Sequence, residues 1–189
     1  MRICVFAGSA SGARPEYAAA ARDLGVALVQ RDMGLVYGGA RVGLMGLLAD
    51  SMLAAGGHVT GVIPDALATK EIAHRDLSDL HVVRTMHERK AMMYKLADGF
   101  LALPGGWGTL EELFEALTWS KLGLHQKPCG LLNVSGYFDP LLSFLGHAAD
   151  EGFLTRAHVS TISISTAPEA LLDLMAAPVG FVSALRPMK

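Results

Sequence analysis

The chain has 189 residues, enough for one domain with a full core, and its 51% hydrophobic and 18% charged residues exclude a disordered chain and favour a large buried sheet. A formal net charge of -2 and a pI near 6.4 exclude the basic footprint that nucleic-acid binders carry. No apolar run reaches membrane-spanning length and residues 2–7 are too few for a signal-peptide core, so a soluble cytoplasmic protein without a membrane partner is expected.

Residues 2–8 read as a buried first strand, followed by the small-residue turn Gly8-Ser9-Ala10-Ser11-Gly12 and an amphipathic helix over 15–30 with Pro15 in its first turn. A second strand, 34–39, runs into Ala40-Arg41-Val42-Gly43-Leu44-Met45-Gly46, which opens a helix ending near Gly56-Gly57. The third strand, 58–63, stops at Pro64, and a polar loop with Lys70, Glu71, His74 and Arg75 follows. Strands over 80–84, 99–103, 128–133 and 160–165 then alternate with helices over 86–97, 109–122, 138–151 and 167–175. This alternation predicts an α/β fold, a parallel sheet flanked by helices on both faces, with residues 1–177 as one domain and 178–189 as a C-terminal tail. Cys4 and Cys129 sit in apolar strands and read as buried thiols, and the seven His residues show no metal-ligand spacing, so no metal is expected.

In a parallel sheet the loops after the strands gather at the carboxyl edge, where ligands bind. That places Ser9, residues 38–43, 70–74, 86–90 and 105–112 along one rim. The most informative stretch is Pro104-Gly105-Gly106-Trp107-Gly108-Thr109-Leu110-Glu111-Glu112, since its six fixed residues would arise in a chain this long with odds on the order of 10⁻⁵. A glycine turn that opens a helix offers free N–H groups and the positive end of the helix dipole to a phosphate. Ser9, Gly38, Gly39 and Gly43 form a second candidate phosphate cradle on the same rim, or serve only as packing glycines and turn residues.

Thr109 and Glu112 have the spacing of a capping box, and Glu112 is equally placed to act on a bound ligand as general acid or base. Met86-His87-Glu88-Arg89-Lys90 sets two cations near a helix start, at a cost of roughly 0.3–1 kcal/mol each. Either Arg89 grips a phosphate or ribose, or Arg89 and Lys90 make surface ion pairs. Trp107 stacks on a base or packs at the loop. His74, His81 and His87 read as polar rim or partly buried residues.

The segments 37–46, 86–90 and 104–112 closely resemble the Lonely Guy family, the cytokinin riboside 5′-monophosphate phosphoribohydrolases long mislabelled as lysine decarboxylases. The likeness runs to about Ala176. It implies a Rossmann-like fold, a homodimer, and hydrolysis of the N-glycosidic bond of an adenine-type nucleoside 5′-monophosphate without a cofactor. By position it implies Arg89 and Glu112 as the catalytic pair, with Glu71, Arg89, Lys90, Gly105, Gly106, Trp107, Gly108, Thr109, Leu110, Glu111, Glu112 and Thr118 as substrate contacts. Ala40 stands where many members carry a third glycine, and residues 69–80 match only at Glu71. Two other readings are a decarboxylase, which would need pyridoxal phosphate on a Schiff-base lysine, and a non-catalytic carrier of a nucleotide or of molybdenum cofactor.

Overall fold

The computed structural model describes residues 1–68 and 73–177. Apolar runs bounded by Gly, Pro or polar residues become strands β1 (Arg2–Phe6), β2 (Gly34–Tyr37), β3 (Val59–Pro64), β4 (Asp79–Val83), β5 (Gly99–Ala102), β6 (Cys129–Leu132) and β7 (Ile162–Ser165). Between them lie α1 (Pro15–Gln30), α2 (Gly43–Ala54), α3 (Asp65–Ala68), α4 (Met86–Leu96), α5 (Trp107–Lys121), α6 (Asp139–Asp150), α7 (Arg156–Ser160) and α8 (Pro168–Ala176), with a 3₁₀ turn at Val134–Gly136.

The seven strands form one parallel sheet in the order β4-β3-β2-β1-β5-β6-β7. The chain steps outward from β1 to β4, then returns to lay β5 against the other side of β1. Strand order therefore reverses between β1 and β5, and the loops leaving their carboxyl ends diverge to open a crevice. Side chains alternate across the sheet, so Ile3 and Val5 enter one core with α1, α2 and α8, while Cys4 and Phe6 enter a second with α4, α5 and α6. The expected layers are thus present.

Boundaries differ in physically simple ways. Helix α5 begins at Trp107 rather than Thr109, because Gly106 takes the N-cap position. Helices α3 and α7 were not expected: four and five residues are too few to leave a hydrophobic period. The latter is held by a capping box between Thr155 and His158. Cys4 and Cys129 are free, buried thiols. Lys70, Glu71 and the proposed tail, 178–189, lie outside the described residues. No helix among the described residues is long and apolar enough to cross a membrane.

Candidate active site

The crevice is tied together by backbone. The Gly8 N–H donates to the Pro104 carbonyl at 3.1 Å, joining the turns after β1 and β5, and the Leu44 N–H donates to the Gly8 carbonyl at 3.0 Å, adding the start of α2. Gly43 makes the last contact possible, since its φ is +57° and a Cβ there would lie 2.3 Å from the Ser9 carbonyl carbon.

Helix α4 delivers Arg89. Its N-cap Thr85 accepts the Glu88 N–H, and Glu88 in turn pairs with Arg84, leaving Arg89 to point inward. There its Nε donates to the Val62 carbonyl at 3.2 Å and its Nη1 lies 3.1 Å from Glu112 Oε1. The second guanidinium nitrogen sits against Gly38, where a Cβ would come within 2.1 Å of it. Glu112, on the second turn of α5, is only 7% exposed. Burial pushes its carboxyl above the ordinary range, against the downward pull of the Arg89 guanidinium.

These groups open on a cavity of about 220 Å³ lined by Ala7, Ser9, Gly38, Ala40, Met45, Ile63, Leu67, Arg89, Glu112 and the turn residues Gly106, Trp107, Gly108 and Thr109. Its chemistry is divided. One side has glycine amides at a helix start, the deep end has the cation–carboxylate pair, and Met45, Ile63 and Leu67 supply an apolar wall. Trp107 stands at the mouth, 91% exposed, so it does not pack at its loop.

Several expected residues are placed elsewhere. Thr109 and Glu112 make no capping box, because Thr109 is already inside α5 and Glu112 turns to Arg89. Thr109 instead packs on Gly105, where a Cβ would lie 2.1 Å from its hydroxyl. Lys90 is not directed at the cavity: its Nζ pairs with Glu111 at 2.5 Å and Glu115 at 3.0 Å, bracing α4 to α5. Glu111 is thereby occupied too, and Leu110 packs into the core. Gly39 and Gly43 are close-packing residues behind the wall rather than lining it. Gly105 faces a neighbouring cavity of about 290 Å³ with Tyr17 and Tyr137.

Thr118 lines a separate groove with Phe114, Leu145 and Leu154. It follows Glu112 by six residues, about 9 Å along the helix and roughly 120° around it, so it looks out from a different face. His74 is buried beside Asp50, with its Nε2 2.9 Å from Oδ1. Among the described residues no group of three or more His, Cys, Asp or Glu is arranged to hold a metal. Sequence reasoning missed the apolar wall, the Val62 carbonyl that aims Arg89, and Glu115, because each is joined to the site only by the fold; Met45, inside the glycine-rich opening of α2, was the one with a local signal.

Comparison with known proteins adds a family. Residues 45–175 match the family model described as possible lysine decarboxylase. The chain is 51% identical over 174 residues to the cytokinin riboside 5′-monophosphate phosphoribohydrolase LOG of Oryza sativa subsp. japonica, covering 92% of this chain and 72% of that protein. It is 54% identical to LOG7 of Arabidopsis thaliana, a phosphoribohydrolase of the same name, over 92% and 80%. The phosphoribohydrolase of Rhodococcoides fascians is 50% identical over 93% and 89%. Among solved structures, the molybdenum cofactor binding protein of Rippkaea orientalis superposes with a TM-score of 0.68 at 24% identity, covering 92% of this chain and 93% of its own, which is a likeness of fold.

Proposed function

The chain belongs to the family of cytokinin riboside 5′-monophosphate phosphoribohydrolases, and from that premise we propose that its cleft hydrolyses the N-glycosidic bond of such nucleotides or of AMP, releasing the adenine-type base and ribose 5-phosphate. The observation that carries the reading is the buried Arg89–Glu112 pair opening on the same cavity as the glycine turn. The amides at the head of α5 take the 5′-phosphate. That grip sets the ribose against the pair, and the base lies along Met45, Ile63 and Leu67.

Breaking the ribosyl C–N bond builds positive charge on the sugar, which a carboxylate held in a dry pocket stabilises. Glu112 also accepts a proton from the attacking water as the water oxygen bonds to C1′ and the C1′–N bond breaks, and a proton is returned to the departing base nitrogen, directly or through water, so that none is gained or lost overall. Arg89 orients the Glu112 carboxylate and supplies donors to ribose or phosphate. Glu71, implied as a further substrate contact, lies outside the described residues. Thr118 reaches substrate only if a second copy presents it, in keeping with the homodimer the family resemblance implies.

The described residues of this cleft offer pyridoxal phosphate no Schiff-base lysine, and Lys90 and Lys127 are held by Glu111, Glu115 and the Tyr94 carbonyl. A carrier has no use for a buried carboxylate with a raised affinity for protons. The deciding experiment is release of free base from AMP and isopentenyladenosine monophosphate by the wild type and Glu112→Gln. Turnover of the variant should fall roughly 10²- to 10⁴-fold with AMP binding largely kept; undiminished turnover would refute the role.

A further inference from the structure

Just beyond β6 the chain makes a turn whose construction the reaction does not explain. Ser135 adopts φ 51° and ψ 31°, the left-handed region that non-glycine residues enter at a cost, and Gly136 follows with φ 71°. Asn133 fastens the turn, donating from Nδ2 to Asp139 at 2.7 Å and accepting the Phe138 N–H at 2.8 Å. The product of this arrangement is the position of Tyr137. Its ring packs edge-on against Tyr17, with centroids 5.7 Å apart, and against Phe138 at 5.0 Å. Its hydroxyl donates to the Gly105 carbonyl at 2.6 Å.

Gly105 is the residue before the proposed phosphate turn, and the peptide that joins it to Gly106 is planar and trans. In such a peptide the carbonyl and the following N–H point in opposite directions. Tyr137 and Gly105 belong to the 290 Å³ cavity, whereas Gly106 lies on the wall between that cavity and the cleft. Holding the Gly105 carbonyl toward Tyr137 therefore turns the Gly106 N–H toward the cleft. We infer that Tyr137 is a positioning residue for the phosphate: by fixing one glycine peptide it aims the Gly106 N–H at the 5′-phosphate. Glycine is otherwise free to flip this peptide, so the turn needs an external anchor. The hydroxyl also polarises the peptide it holds, which strengthens the N–H as a donor.

This role rests on the proposed phosphate site, and the test separates the two. Calorimetry on the full chain with AMP, ribose 5-phosphate and adenine compares wild type, Tyr137→Phe and Tyr17→Phe. Tyr137→Phe keeps the ring contacts and removes one hydrogen bond, so affinity for AMP and ribose 5-phosphate should fall roughly five- to tenfold while adenine binding is unmoved. The KM for AMP should rise by the same factor with kcat within about twofold, and Tyr17→Phe should match wild type. Wild-type affinity for ribose 5-phosphate in Tyr137→Phe, or an equal loss for adenine, overturns the inference and leaves the phosphate site standing. A wild type that neither binds ribose 5-phosphate nor hydrolyses AMP overturns both. Should Tyr137→Phe fail to fold, ¹⁵N spectra of the wild type decide: the Gly106 amide should shift on adding ribose 5-phosphate, and an unmoved amide sinks the claim.

Discussion

The carboxyl of Glu112 is pulled in two directions. Burial raises its proton affinity and the Arg89 guanidinium lowers it, with burial the larger, so the group titrates above the usual 4.5. A raised carboxyl favours the folded state in its protonated form; its contribution to stability is fully present below the unfolded value and is lost as pH rises through the folded one. Activity has the opposite sign, because the ionised form is the base. The acid limb of kcat/KM should accordingly lie above the ordinary carboxylate range. Arg89→Met, which removes the downward pull, should move the titration higher still, as read from the Glu112 side-chain carbon by ¹³C NMR. An unmoved or lower value would show that the pair is not electrostatically coupled. At Gly38 an added methyl would meet the far end of Arg89 at 2.1 Å, and that end can swing away. Gly38→Ala should leave the melting temperature within a few degrees while kcat/KM falls roughly 10- to 100-fold, the cost of misplacing a catalytic group by about 1 Å.

Between elements, the brace from α4 to α5 is largely buried, with the Lys90 side chain 13% exposed and that of Glu115 22%. Glu115 Oε2 is also buried without a hydrogen-bond partner. Lys90→Met would strand that carboxylate, so a loss of roughly 2–4 kcal/mol is expected. Glu115→Gln should cost less, since Lys90 keeps Glu111. Chemical denaturation of the two variants checks the order, and an equal or reversed order would show that Lys90 is not the brace. The same contacts explain what was legible beforehand. The main strands and longer helices were readable because each carries its own period and its own Gly or Pro punctuation, and the glycine turn was readable because its pattern is continuous. Thr109 and Glu112 suggested a capping box because that motif is local, whereas Arg89, which claims Glu112, comes from another helix. For Lys90 the residues left an ion pair open beside the substrate contact the resemblance implied, and they could not name its partner because Glu115 is 25 residues away. Short α3 and α7 left no period at all.

For the whole molecule, the reversal of strand order between β1 and β5 determines where a ligand can enter, and the outer face of α5 is the surface the proposed homodimer would use. Phe114 lines the groove that holds Thr118, a volume of about 350 Å³, and is exposed, as are Leu122, Leu124, Phe144 and Phe153, which stand within three residues of its lining in sequence. Exposed apolar residues in such number mark an association surface more often than a bare one. The proposed homodimer would bury this face and bring Thr118 of one copy toward the cleft of the other, whereas within one chain Thr118 lines a separate groove and not the cleft. Light scattering should then give twice the 20.0 kDa chain mass. Phe114→Glu places a charge in the groove wall and should return the mass to that of a single chain. If the dimer completes the site, the same variant should raise the KM for AMP although Phe114 is absent from the cleft lining. A monomeric Phe114→Glu with wild-type kinetics would show that each chain works alone and that Thr118 touches no substrate.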